Sequence, residues 1–457
     1  MLSPIIIHEQ FDIPSGVLRV LDVLEKAGFE AWLVGGCVRD HLRGLPPKDY
    51  DVTTNAAAGQ VIAAFDGFRV IETGIKHGTV TVLSDGVPIE VTTYRVDGEY
   101  SDGRHPDSVS FSADIKEDLS RRDFTVNAMA YSPSRGYLDL FGGMDDLGAG
   151  IIRCVGDPSK RFGEDALRIL RALRFASVLE FEIEPATAEA VHLCKGLLDR
   201  IAVERITQEF FGLLCGEGVG DVLRNYRDVI GQIIPPLQRT FGFEQHNPHH
   251  DSDVWEHTVR VVEAAPPDRI LRLAALFHDI GKPHCFTTGD DGTGHFYGHA
   301  KISEEITREI LAKYLRTDRK TEERVLLLVA IHDDRIIPER RIVHRRLSKY
   351  GEENLRQLLT LKRADLTGLN PALAADKFRE LDEVQNILDE LAAESACTTL
   401  RSLAIGGGDL MAMGVPKGPL IGKILNSLLS EVCDEQLVNS REPLKKRASE
   451  LFQYYNA

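Results

Sequence analysis

The chain has 457 residues, enough for roughly two to four domains, each with a core of its own. With 43% hydrophobic and 27% charged residues it reads as a globular chain, and no apolar run is long enough to span a bilayer, so no membrane is expected. A formal net charge of −16 argues against broad, non-specific wrapping of DNA, and no DNA partner is expected; it does not exclude local basic tracks, and arginine is clustered in places.

In chain order, a helix is expected over residues 17–27, leading into a strand at Ala31–Val34. Next comes Leu33-Val34-Gly35-Gly36-Cys37-Val38-Arg39-Asp40, then Lys48-Asp49-Tyr50-Asp51-Val52. A Gly-Gly turn lets backbone N–H groups approach a phosphate that a Cβ would block. Placed on a strand, Asp49 and Asp51 point to one face, where two carboxylates can hold the hard cations used in phosphoryl transfer. Further strands are expected at 50–53, 68–71, 79–83 and 89–94. In the last of these Glu90 is out of phase with Ile89 and Val91, a candidate third carboxylate.

The segment Arg121-Arg122-Asp123-Phe124-Thr125-Val126-Asn127-Ala128 is polar where a buried element should be apolar. Its arginines can clamp a triphosphate, Asp123 and Asn127 can hydrogen-bond a ribose, and Phe124 can pack beneath; a helix cap with salt bridges is the other reading. After Gly150 the pattern turns helical, with candidates at 165–178, 187–199, 204–214, 251–265, 270–280, 303–315 and 321–332. Residues 286–299 interrupt them as a loop or short hairpin.

Within Glu164-Asp165-Ala166-Leu167-Arg168-Ile169-Leu170-Arg171, the residues Ala166, Ile169, Leu170 and Leu173 form a buried stripe. Glu164, Asp165 and Arg168 then share a side of the expected helix. A carboxylate accepts from an exocyclic amino group, and an adjacent arginine donates to a ring acceptor. Cytosine and adenine both offer that edge; uracil and guanine do not. One acid–arginine pair can therefore admit CTP and ATP and reject UTP and GTP.

The ordered set Gly-Gly-x-Val-Arg-Asp, Asp-x-Asp, Arg-Arg-Asp-Phe-Thr-x-Asn-Ala and Glu-Asp-x-x-Arg-x-x-Arg resembles the class II tRNA nucleotidyltransferases, whose relatives include bacterial poly(A) polymerases. The resemblance covers about residues 30–215. It implies that Asp49 and Asp51 hold catalytic Mg²⁺, with Glu90 beside them. It further implies that Arg122, Asp123 and Asn127 position the nucleotide, that Asp165 with Arg168 reads its base, and that Glu164 supports that pair. Gly35, Gly36, Arg39 and Arg171 are counted with the nucleotide-binding residues. Residues 96–106 resemble a loop found in enzymes able to add the terminal A, which favours full CCA or A-only addition.

Farther on, His257, the pair His278-Asp279 closing an apolar run, and Asp365 place polar groups where core residues are expected, and a metal is their natural partner. The spacing resembles the HD phosphohydrolase superfamily, which implies a divalent metal of unspecified identity and phosphomonoester or 2′,3′-cyclic phosphate substrates. His299 and His332 can extend the set toward a second metal or a substrate phosphate. The Gly- and Pro-containing run at 403–419 resembles the tRNA-contacting tail of the family.

The expectation is therefore an α+β protein: a small mixed head at 16–150, a helical neck at 151–220, a helical body with the HD-like site at 221–375, and a helical tail at 376–457. It would add or repair the 3′-CCA of tRNA from CTP and ATP. The alternatives are an A-only adding enzyme, a poly(A) polymerase, or an HD phosphohydrolase with a nucleotide-binding head. Seven scattered cysteines, without a Cys-x-x-Cys pair, suggest reduced thiols and a cytoplasmic home.

Overall fold

The structure, a computed structural model, describes residues 11–72, 74–75, 78–97, 109–246, 252–368 and 371–456. The loop singled out at 96–106 therefore lies almost wholly outside the described residues. The chain forms two compact units, one running through Pro235 together with Tyr314–Arg316, the other comprising Pro236–Lys313 and Thr317 onward.

The first unit begins with α1 (Ser15–Lys26), whose Val17, Val20, Leu21 and Leu24 recur at helical spacing and are buried. There follow β1 (Ala31–Val34), α2 (Gly36–Leu42), β2 (Asp51–Thr54), α3 (Ala58–Ala64), β3 (Arg69–Ile71), β4 (Thr79–Ser84) and β5 (Val87–Thr93). A small ribbon of β6 (Arg95–Asp97) and β7 (Val109–Phe111) precedes α4 (Ile115–Ser120), β8 (Met129–Ser132), β9 (Gly136–Asp139) and α5 (Gly143–Ala149). Seven of these strands form one sheet in the order β3-β4-β5-β2-β1-β8-β9. Only β2 and β5 run parallel within it, with Asp51 opposite Glu90; the other neighbours are antiparallel.

The helical part of this unit comprises α6 (Pro158–Glu164), α7 (Leu167–Leu179), α8 (Pro185–Cys194), α9 (Val203–Leu214), α10 (Val219–Asn225) and α11 (Arg227–Ile233), with the short strands β10 (Ile151–Ile152) and β11 (Glu182–Ile183) pairing in parallel. The expected stripe Ala166, Ile169, Leu170 and Leu173 is buried. The second unit opens with α12 (Val254–Ala264), α13 (Arg269–Phe277) and α14 (Lys282–Cys285). A hairpin of β12 (Thr287–Thr288) and β13 (Gly294–His295) fills the expected interruption, before α15 (His299–Lys313), α16 (Arg319–Ile331), α17 (Arg340–Tyr350), α18 (Glu352–Thr367) and α19 (Pro371–Ala393). Here α12 packs on α13 and α18, and α13 on α16. A separate apolar cluster around Leu410, Ile424, Leu428 and Leu444 holds α20 (Gly407–Ala412), α21 (Pro419–Cys433) and α22 (Arg441–Asn456).

Three local expectations change. Asp49 precedes β2 rather than lying on it, so strand alternation is not what places it beside Asp51. Residues 165–178 are not one helix: Asp165 is extended (φ −140°, ψ 104°), and α6 ends before it. Finally, β8 and β9, unforeseen, complete the sheet beside β1.

Candidate active site

The head site is a cleft of about 790 Å³ lined by Gly35, Gly36, Arg39, Lys48, Asp49, Asp51, Arg122, Asp123, Asn127, Arg171, Arg174 and Phe175, among others. The end of β1 delivers the chain to Gly35, which caps α2 at φ +76°. A Cβ there would stand 3.0 Å from an Arg122 guanidinium nitrogen, so a side chain would push Arg122 aside as well as strain the backbone. Asp51 opens onto the cleft from the first residue of β2, and its register partner Glu90 is likewise exposed. Desolvation, then Asp49 and Glu90, push the Asp51 carboxyl up to about 6, with Arg122 opposing. The like charge felt at Asp51 suits a hard divalent cation, which would relieve the repulsion, but the three carboxylates are not drawn to within ligand distance of one another as the histidine–aspartate set of the second unit is.

Beside them runs a continuous polar chain. Arg39 Nη1 donates to Asn127 Oδ1 at 2.7 Å, and Asn127 Nδ2 donates to Asp123 Oδ1 at 3.1 Å. Asp123 Oδ2 then accepts from Arg171 Nε and Nη2 at 2.8 and 2.6 Å. Burial works against the Asp123 carboxylate, but Arg171 and the Asn127 hydrogen bond win and hold its pKa at about 2. Asp123 and Asn127 therefore spend much of their hydrogen-bonding capacity within the protein, tying α2 to α7. Phe124 packs edge-on against Phe175, and the Arg174 guanidinium lies 4.2 Å over the Phe175 ring.

A second cavity of about 290 Å³ is lined by Arg121, Arg122, Asp123, Asp165, Leu167, Arg168, Arg171 and Arg205. It brings Asp165 and Arg168 together, though by a different route from the expected helix face. Asp165 Oδ1 accepts from the N–H of Leu167, the first residue of α7, at 3.0 Å, and Oδ2 accepts from Arg205 Nη2 at 2.9 Å. Arg168 Nη1 donates to Glu164 Oε2 at 2.7 Å and to the Arg161 carbonyl at 3.1 Å, while its Nη2 donates to the Arg121 carbonyl at 3.0 Å. Glu164 thus fixes Arg168. Sequence reasoning missed Arg205 and Glu209, which reach this region from α9; Glu209 accepts from Arg174 at 2.5 Å. Their four-residue spacing on one helix face was the available signal.

The expected polar set of the second unit converges as well. Asp279 Oδ2 lies 3.2 Å from His278 Nε2 and 3.5 Å from His257 Nε2, while Oδ1 lies 3.4 Å from His299 Nε2 and 3.7 Å from His332 Nε2. Asp365 Oδ1 stands 3.0 Å from His257 Nε2 and 3.6 Å from His278 Nε2. The donors form two triads sharing Asp279: His257, His278 and Asp279, and Asp279, His299 and His332. All four histidines turn Nδ1 toward a backbone carbonyl, of Gly368, Ala275, Phe296 and Val329 respectively, at 2.7–3.2 Å. That leaves every Nε2 facing the cluster, the arrangement in which an outer carbonyl fixes the tautomer of a ligating imidazole. At Gly368 a Cβ would stand 2.5 Å from His257 Nδ1, so the glycine permits this close carbonyl. Despite a buried setting that disfavours charge, Asp279 and then Asp365 push the His278 imidazole up to about 10; the cluster demands positive charge.

Comparison with known proteins decides the family. The Poly A polymerase head domain matches residues 31–153, a probable RNA and SrmB-binding site of polymerase A matches 180–229, and tRNA nucleotidyltransferase domain 2 (putative) matches 289–448. The CCA-adding enzyme of Limosilactobacillus fermentum is 34% identical over 437 residues, covering 94% of this chain and 96% of that protein. The CCA-adding enzyme of Latilactobacillus sakei is 33% identical with the same coverages. The chain belongs to the CCA-adding enzymes. It is a nucleotidyltransferase, and its architecture is that of the family: the Bacillus stearothermophilus CCA-adding enzyme, solved in complex with CTP, superposes with a TM-score of 0.69 at 29% identity, over 96% of this chain and 98% of that one. Among the described residues, no helix is long and apolar enough to cross a membrane.

Proposed function

We propose that this CCA-adding enzyme completes or repairs the 3′-CCA of tRNA from CTP and ATP, without a nucleic-acid template, in the cytoplasm. The observation that carries the reading is the adjacency of two cavities sharing Arg122, Asp123 and Arg171, one with the carboxylates Asp49 and Asp51, the other with Asp165 and Arg168. Asp49, Asp51 and Glu90 would hold Mg²⁺, which supplies neutralisation of the attacked phosphate and activation of the tRNA 3′-hydroxyl. Arg122 and Arg171 bind the triphosphate, and the backbone at Gly35-Gly36 lets it approach. Asp165 accepts from the amino group of cytosine or adenine, and Arg168, held by Glu164, donates to the ring acceptor. The 3′-oxygen then attacks the α-phosphorus, the bond to the β-phosphate breaks, and pyrophosphate leaves. Residues 16–150 serve as catalytic head, 151–220 as neck, and 376–457 as a tRNA-binding tail.

Incubating the protein with tRNA lacking CCA and each labelled nucleotide separately tests this. Incorporation of C from CTP, then A from ATP, is expected; A without C identifies an A-only enzyme, and long A tails on unrelated RNA a poly(A) polymerase. Asp51→Asn is expected to lower addition by about 10²-fold or more.

A second activity in the body (221–375) is favoured by the shared-carboxylate triads. His257, His278, Asp279 and Asp365 would hold a divalent metal, with His299 and His332 completing a second position, for hydrolysis of phosphomonoesters or 2′,3′-cyclic phosphates. Release of phosphate from a monoester, or opening of a 2′,3′-cyclic phosphate to a monoester, that requires added metal and disappears in Asp279→Asn, while CCA addition persists, is the expected outcome; either activity unaffected by Asp279→Asn would sink the reading.

A further inference from the structure

Asp118, on α4, takes no part in the chemistry above, yet its side chain is wholly shielded from solvent in the wall of the head. Its Oδ1 accepts two hydrogen bonds from Arg121, Nε at 3.0 Å and Nη2 at 2.7 Å. Its Oδ2 faces Thr53 Oγ1 at 3.3 Å and Arg122 Nη2 at 3.5 Å. Thr53 follows Asp51 by two residues on β2, so the two share a strand face by alternation. Arg121, gripped by its side chain, presents to Arg168 Nη2 the carbonyl that orients it. One buried carboxylate thus meets the strand bearing Asp51, an arginine of both cavities, and the residue whose backbone holds Arg168.

The contacts are graded. Arg121 has the short, bidentate pairing that gives charge-assisted bonds their strength, whereas Arg122 is at the limit of contact. Two guanidiniums facing one carboxylate leave surplus positive charge, and Arg122 is the less engaged. Its Nε is buried without a hydrogen-bond partner among the described residues, a state that an arriving anion would relieve. Burial opposes the charge on Asp118, but Arg121 and Arg122 hold its carboxyl below the ordinary range.

We propose that Asp118 is a positioning residue for nucleotide addition: by saturating Arg121 it leaves Arg122 free to meet the triphosphate and fixes the carbonyl that orients Arg168. The inference rests on the assignment of the head cleft to the incoming nucleotide. Asp118→Asn removes the charge but preserves the volume. Because it also removes negative charge from behind Arg122, which lines the cleft, ground-state binding of inorganic tripolyphosphate is not expected to weaken. Instead kcat falls by up to about 10²-fold, the scale of a misplaced reacting group, and discrimination of CTP from UTP narrows. Unchanged kcat and discrimination in the folded variant, or a loss lying wholly in nucleotide affinity, overturns the proposal. Wild-type protein that binds neither tripolyphosphate nor CTP overturns the underlying cleft assignment, a distinguishable failure. Should Asp118→Asn not fold, Arg121→Met turns Asp118 onto Arg122 as its remaining guanidinium. Tripolyphosphate affinity is then expected to fall several-fold, and unchanged affinity is the contrary result.

Discussion

At the residue scale, Asp123 shows how a side chain assigned to ligand binding can also bear on stability. Its two oxygens join Asn127 and Arg171, so losing it leaves Arg171, whose side chain is one-third exposed, with only the longer Glu209 contact at 3.7 Å as an ion pair among the described residues. Breaking a fully buried pair costs about 3–5 kcal/mol, and that exposure brings the expected loss for Asp123→Ala toward about 2–3 kcal/mol. The pH dependence has a definite sign. The folded pKa of about 2 lies below the unfolded value near ~3.9, so the contribution is complete above pH ~4 and is lost as pH falls toward 2. Urea titrations at pH 5 and pH 3 are expected to show a larger stability loss in the wild type than in Asp123→Asn. Equal losses would mean that Asp123 does not carry the linkage.

Elements supply the positions that residue types alone cannot. The β1–α2 turn places Gly35 against Arg122, and Gly35→Ala is expected to weaken CTP and ATP binding about tenfold, by displacing one charge-assisted partner. Equilibrium binding measures this, and affinity unchanged in a folded variant would show that Arg122 adjusts without cost. Much of the head was legible: Ala31–Val34 falls where expected, and alternation around Glu90 announced an exposed carboxylate between buried neighbours. β8 was not, because Met129-Ala130-Tyr131-Ser132 is short and lacks polar alternation; its pairing with β1 and β9 makes it a strand. The break at Asp165 was hidden too, since Glu-Asp-Ala-Leu-Arg fits helical periodicity, and a side chain that accepts from the Leu167 N–H and from Arg205 outweighs that propensity.

For the whole molecule, two compact units carry two separate polar centres. Divalent cation binding in the second unit is expected to stabilise it by linkage, read as a calorimetric transition that moves up with added Mn²⁺. Gly368→Ala, which crowds the outer carbonyl of His257, should weaken that binding by about 10–100-fold. An identical metal-dependent shift in the variant would show that the histidine orientation is not what secures the ion. The acidic balance of the chain also sits more easily with RNA binding once its arginines are located. Arg121, Arg122, Arg168, Arg171 and Arg205 line one cavity, and although Asp118, Glu164, Asp123 and Asp165 pair with four of them, they concentrate guanidinium donors locally within a chain of net −16.

By itself, the sequence determined the chemistry available: an acid pair behind a Gly-Gly turn, an acid–arginine base reader, and a histidine–aspartate set in an apolar body. Those are properties of residue type and short spacing, which chain geometry fixes locally. Only the tertiary structure decided how they are held. Arg205 reaches Asp165 across forty residues, Asp118 gathers Thr53, Arg121 and Arg122, and Asp279 stands between two histidine pairs drawn from four separate segments. Such contacts depend on which buried faces pack together, and no local periodicity encodes that choice.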